Sequence, residues 1–284
     1  MKDSTVQVIA YWELKDTYTF AITQSKFKVK NADTTNMEVI KYFVDVKVID
    51  STATAYVMDW HYRNHTVQTE NELVKKMFSI AEDINVRVKT NEMGTFQEIL
   101  NWKEVKEVIH KALIKVKAET KDIPNIDKIL NQVEDKFSTK EAIEASAINE
   151  IQQFLTFHGG QYKLGEEVRF DSKIVNLLDK NMPFDSETVV WLDEINDADN
   201  NWVLRYKRTL NQEQLTKATF DYLTKIASTM NVSGPKWEEF PPLKNETWVA
   251  SRIHGSGWTT YSIETKETSG EDEIHIEETI IEIQ

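Results

Sequence analysis

Residues 38–62 read EVIKYFVDVKVIDSTATAYVMDWHY. From Glu38 to Val48 the pattern alternates by twos: Ile40, Tyr42, Val44, Val46 and Val48 share one face, and Lys41, Asp45 and Lys47 the other. Asp50-Ser51 breaks the run. Thr54, Tyr56, Met58, Trp60 and Tyr62 then line one face of a second run. Successive side chains of a strand point to opposite faces, so period two on both sides of a polar break predicts a long antiparallel hairpin. A sheet with so aromatic a face needs a cover or a ligand.

The same reading extends outward. Val6–Trp12, Thr17–Thr23 and Lys26–Lys30 are strand-like, and Asn71 caps a short helix whose inner side is Leu73, Val74, Met77 and Phe78. Ile84–Lys89 and Gly94–Leu100 form a second hairpin around Asn91-Glu92-Met93-Gly94. Asn101 with Glu104 three residues on has the form of a capping box, and Trp102, Val105, Val108, Ile109, Ala112, Leu113 and Val116 follow at helical spacing. Asp122-Ile123-Pro124-Asn125 ends that helix. Ile126–Phe137 is a second amphipathic helix. Ser138 with Glu141 opens a third through Ile143, Ala147, Ile151, Phe154 and Leu155, which Gly159-Gly160 stops.

After Gly160 the sheet pattern returns in Glu167–Leu178, Thr188–Ile195 and Trp202–Leu210. Asn211 caps another helix, and Thr247–His254, Trp258–Lys266 and Glu273–Ile283 close the chain. Runs of strands with helices inserted indicate an α+β fold. The expectation is one large, curved, mainly antiparallel sheet, with a block of three helices over about 101–158 and a further helix over about 211–230 packed on it. No linker separates domains, so residues 1–284 read as a single unit. The parts 1–160 and 161–284 share a rhythm of strands, helix and strands without a residue-level repeat.

Composition bounds the function. The chain has 284 residues and a formal net charge of −13. Its lysines are interleaved with acids, which argues against general nucleic-acid binding. With no cysteine, disulfides, thiolate catalysis and Cys-ligated metals are excluded. No apolar run approaches the ~20 residues of a spanning helix, so no transmembrane segment is expected. Met1–Thr5 lacks an apolar leader core. Two settings stay open: cytoplasmic as written, or the cell envelope or periplasm as a mature exported domain.

Motif by motif, no catalytic residue, metal ligand or cofactor site is expected. His61 and His65 fall on a strand, where i and i+4 stand ~13 Å apart and cannot share an ion. Asp197, Asp199 and Asn201 match the first ligands of a calcium loop, but Trp202 stands where glycine is needed and Arg208 where the bidentate acid belongs. A hairpin turn is the reading there. Gly255-Ser256-Gly257 lacks the spacing of a nucleophile elbow. His110 reads as a half-exposed helix residue, and His158 as a helix C-terminal residue favoured by the macrodipole. The functional hint is aromatic. Tyr56, Met58, Trp60, Tyr62, Trp191, Trp202, Trp248 and Trp258 are the candidate ligand-binding residues, placed on one concave face where they make either a core or an apolar cavity.

The opening Tyr11-Trp12-Glu13-Leu14-Lys15-Asp16-Thr17-Tyr18, the hairpin Val48-Ile49-Asp50-Ser51-Thr52 with Tyr56, and Gly94-Thr95-Phe96 with Leu100-Asn101-Trp102-Lys103-Glu104-Val105 together resemble a group of uncharacterised lipoprotein-like proteins of Gram-negative envelopes. Asp16 lacks the preceding glycine of that pattern. The resemblance covers about half the chain and its motifs are structural, so it implies an exported domain and carries over no catalytic residue. By architecture the chain is also similar to half-barrel lipoprotein carriers. The expected function is therefore a non-enzymatic envelope protein whose partner is a lipid or other apolar small molecule held between sheet and helices. A structural or interaction module with a filled core, partnered by another envelope protein, is the alternative. A carboxylate-based hydrolase is third.

Overall fold

The computed structural model describes residues 4–80, 84–120, 123, 126–176, 178–179 and 182–284. Its centre is the 38–62 hairpin. Strands β2 (Thr17–Lys30), β3 (Asp33–Ser51) and β4 (Ala55–Gln68) form a meander. Val44 lies opposite Tyr62, Val46 opposite Trp60 and Val48 opposite Met58. All six are buried, so the alternation fixes both register and inner face.

Helix α1 (Glu72–Ile80) follows, then β5 (Ile84–Asn91), β6 (Phe96–Ile99) and a helical layer: α2 (Trp102–Glu119), α3 (Ile126–Lys136), α4 (Lys140–Ser146) and α5 (Asn149–Leu155). The second part comprises β8 (Glu167–Ile174), β9 (Phe184–Asn196), β10 (Asn201–Leu210), α6 (Gln212–Thr229), β11 (Lys244–His254), β12 (Thr259–Ser269) and β13 (Glu273–Ile283). Short strands β1 (Thr5–Gln7) and β7 (Gln161–Lys163) pair separately.

The other eleven strands make one open antiparallel sheet in the order β6-β5-β4-β3-β2-β13-β12-β11-β10-β9-β8. This is the expected α+β architecture with a large antiparallel sheet. Each part is three strands, a helix, then two or three strands, and both run round the sheet in the same sense. The main core joins Phe20, Val44, Val46, Met58 and Trp60 of the sheet to Ile143, Ile151 and Phe154 of the helices. A second cluster unites Val6, Val8 and Phe157 with Val190, Leu192, Leu204, Val249 and Ile253.

Several local expectations change. Val6–Trp12 is strand only at its start; beyond it Val8, Ala10 and Trp12 are buried as an irregular segment. Its backbone is held by Met93, Ser256 and Gly160. Thr17–Thr23 and Lys26–Lys30 are one strand with a register shift near Lys26. The third helix of the 101–158 block is two helices. Ala147 and Ile148 leave helical geometry between them, which turns α5 so that Ile151 and Phe154 enter the core. Its cap is Thr139, whose hydroxyl accepts from the Ala142 N–H, and not Ser138. The side chain of Phe78 and most of the Asp122–Asn125 stop lie outside the described residues.

Asn71 and Asn211 do cap their helices. Asn101 does not. Its Oδ1 accepts from the Arg87 N–H at 2.7 Å and its Nδ2 donates to the Asn85 carbonyl at 3.0 Å, clamping the start of α2 to β5. A long-range backbone partner outcompetes the local cap. Asn101→Ala should then strand two backbone groups at a buried position and cost about 2 kcal/mol, more than a lost cap. Denaturant unfolding measures it; a loss under ~1 kcal/mol would contradict the clamp.

Candidate functional site

A cavity of about 190 Å³ lies between the helical layer and the first part of the sheet. Its floor is Tyr42, Tyr62 and Val86; its roof is Val105, Ile109 and Ile143. Only one carboxyl reaches it, that of Glu150 at the start of α5. Glu150 is buried, and burial raises its pKa above the ordinary carboxylate value. The Tyr62 hydroxyl hydrogen-bonds it, and the positive charge of Lys266 opposes the upward shift.

Burial, and secondarily the Glu150 charge, push the Tyr42 and Tyr62 hydroxyls well above their ordinary range, so both keep their protons. Tyr42 accepts from Gln24 Nε2 at 3.0 Å and stacks on His65 with ring centroids 5.0 Å apart. The result is an apolar chamber with one polar corner. Chemically it suits an apolar body whose head can hydrogen-bond a carboxyl oxygen.

The candidate aromatics are divided by the fold. Tyr62 lines this cavity. Met58 and Trp60 are buried in the dry core, with Trp60 edge-on to Phe154 at 5.3 Å. Trp258 joins that core and stacks near Trp12. Tyr56 donates to the Ala10 carbonyl and packs on Trp12. Trp202 packs on the second cluster. Trp191 and Trp248 do not share the face. In β9 the buried residues are Phe184, Ser186, Thr188, Val190 and Leu192, so Trp191 points the other way. In β11 Thr247, Val249 and Ser251 are buried, and Trp248 lies outside under the Lys207 ammonium at 4.3 Å.

Glu150 escaped the sequence reading although a signal was present. Ala147, Glu150, Ile151 and Phe154 fall at i, i+3, i+4 and i+7, which places the acid on the apolar stripe.

The histidines separate likewise. A register shift in β4, where Asn64 has φ +51 to +60 territory typical of a left-handed residue at 57°, turns His61 outward to Asn85 and leaves His65 beside Tyr42. His158 is not an exposed helix end. It is buried between Trp12 and Phe154, and its Nε2 bonds the Gly257 carbonyl at 2.7 Å. Gly257 itself has φ +84, and a Cβ there would meet the Ile9 carbonyl oxygen at 2.4 Å. The Gly255-Ser256-Gly257 turn therefore docks the N-terminal segment.

Asp197–Asn201 is the β9–β10 turn, in which Asn196 Oδ1 accepts from the N–H groups of Ala198 and Asp199. Among the described residues no group of three or more His, Asp or Glu is placed to hold a metal ion. Millimolar calcium should leave the melting temperature unchanged. An upward shift abolished by Asp197→Ala would refute this, since a ligand of the native state must stabilise it.

A larger open groove, about 760 Å³, lies at the far end of β8–β10 and is lined by polar groups such as Ser172, Ser186, Asp185 and Asn211. None of the candidate aromatics lines it. No known family model matches the chain, and no curated protein matches its sequence.

Proposed function

We propose that this is a non-enzymatic binding protein which holds a small apolar molecule, with a hydrogen-bonding head, in the cavity between helices and sheet. The observation that carries the reading is a chamber of about 190 Å³ with Glu150 as its single carboxyl. A dry cavity of ~150 Å³ accommodates a benzene-sized guest, so the space fits a body of about six to eight carbons without rearrangement. A full lipid would require the helical layer to move. An alcohol or amine head would meet Glu150 and Tyr62, whereas a carboxylate would meet like charge once Glu150 ionises. The envelope setting of this reading rests on the sequence resemblance and the half-barrel analogy.

The test is displacement of an apolar fluorescent probe by a series of short-chain alcohols, amines and acids. Alcohols and amines should displace it at lower concentration than acids of equal length. Ala147→Leu, which fills the chamber, should abolish binding without lowering the melting temperature. Native mass spectrometry of the purified protein should show a co-purified small molecule.

One observation favours a second reading. Trp60, Phe20 and Phe154 fill most of the covered face, and the chamber is smaller than the ~300 Å³ typical of ligand sites. Absence of probe binding would move the conclusion to a filled-core interaction module. The hydrolase reading needs two facing carboxylates; the groups that act on Glu150 are Tyr62 and Lys266.

A further inference from the structure

The two edges of the large sheet are finished differently. Edge strand β6 is four residues long and is covered by α4: the Ile99 N–H donates to Glu144, and Lys140 pairs with Glu98. Edge strand β8 is eight residues long, and among the described residues its only strand partner is β9. An uncovered edge of that length is a template for another strand. It also carries apolar side chains on one face: Val168 is 48% and Phe170 49% exposed. On the other face the order is Glu167, Arg169, Asp171, Lys173.

That order is antisymmetric about Phe170. In an antiparallel pair with Phe170 opposite its own copy, Glu167 faces Lys173 and Arg169 faces Asp171, and the two-fold repeats both contacts. All four cross-strand pairs are then of opposite sign. Shifting the register by two residues either way brings Arg169 onto Arg169 or Asp171 onto Asp171. A one-residue slip puts the apolar face against the charged one. A parallel in-register pair sets every charge against its like. Like charges directly opposite are destabilising and opposite ones favourable. The charges thus repel strands in every register but one, which is how an edge is made selective instead of merely blocked.

We propose that this protein forms a two-fold dimer with a second copy of itself by antiparallel pairing of β8 with β8, centred on Phe170. Backbone hydrogen bonds supply the contact, as in other strand additions, and Phe170 meets its mate on the apolar face. The present partners of these charges do not prevent it. Arg169 pairs with Glu167 and Glu187, and Lys173 with Asp185, all more than half exposed and free to share. The net charge of −13 on each copy opposes association, so the dimer should strengthen as salt is raised to physiological strength.

Sedimentation across concentrations up to about 0.1 mM should show a monomer–dimer equilibrium. Arg169→Asp and Asp171→Arg should each give monomers, because each creates two like pairs. An equimolar mixture of the two variants should dimerise again, since every cross-strand pair in the mixed species is of opposite sign. Both positions are exposed, and circular dichroism verifies that each variant is folded. The chain lacks cysteine, so Phe170→Cys gives a single thiol whose Cα lies about 5 Å from its mate in this register. It should cross-link on mild oxidation. Val168→Cys should not, its copies being ~13 Å apart. A wild type that stays monomeric throughout overturns the proposal. So does a dimer that either single variant leaves intact, or one that Phe170→Cys fails to lock.

Discussion

Val44→Asp is expected to remove most of this protein's stability, with a loss of at least ~4 kcal/mol. Val44 has no exposed surface and faces Tyr62 across β3–β4, inside the cluster that contains Trp60 and Phe154. A carboxylate there loses its hydration and finds no partner, so it protonates or the sheet opens. Typical domains have only about 5–15 kcal/mol to lose. Val44→Ala isolates the packing share at roughly 2 kcal/mol. Lys41→Asp, three residues away on the exposed face, should stay within about 0.5 kcal/mol. The buried aspartate's pKa is raised in the folded state, so part of its cost should be recovered as the pH is lowered toward 4. Denaturant midpoints for the three variants at two pH values test this. Equal effects from Val44→Asp and Lys41→Asp would mean that the alternation does not define the core.

That prediction succeeds or fails on the part of the fold most legible in the sequence. In β3 the inner positions are Ile40, Tyr42, Val44, Val46 and Val48, and the outer ones are mainly charged, so period two can be read without ambiguity. In β9 and β11 the contrast inverts. The inner face holds Ser186, Thr188, Thr247 and Ser251, whereas Val189, Trp191 and Trp248 stand outside. Hydrophobicity alone then selects the wrong parity, and only pairing with β10 settles it. Inner hydroxyls are satisfied across strands, as Ser251 and Ser262 show at 2.8 Å. Such partners are invisible in one dimension.

The site was less legible still. The Glu150 chamber depends on the break at Ala147–Ile148, which rotates α5 against α4. Asn101 has the right spacing for a local cap, yet a β5 backbone some fifteen residues earlier in the chain claims its side chain. Local signals predicted where helices begin. They did not predict which buried polar group would find a distant partner.

Acid is expected to destabilise the protein through His158, by roughly 3 kcal/mol between pH 6.5 and pH 4. Burial lowers the pKa of its imidazole from 6.5 to about 4, against the smaller upward pull of its backbone hydrogen bonds. One unit is worth 1.36 kcal/mol, which sets the order of magnitude. The sign follows from proton binding. Between the two values the unfolded chain takes up a proton that the folded protein refuses, so stability falls as pH falls. The contribution is intact above about 6.5 and lost as the pH approaches 4. Charging the ring would place a cation between Trp12 and Phe154 in the core and disturb the contact to Gly257 that holds the N-terminal segment. Glu150 acts in the opposite sense: its raised pKa stabilises the folded state as pH falls through that value, and offsets part of the loss. His158→Gln separates the two, because it removes the titrating ring and leaves Glu150 in place. The variant should be less stable than wild type at pH 7, from lost packing, and should lose less stability than wild type between pH 6.5 and 4. Urea unfolding at pH 7, 5.5 and 4 measures both slopes. A variant whose pH slope equals that of wild type would remove His158 from the account of acid sensitivity.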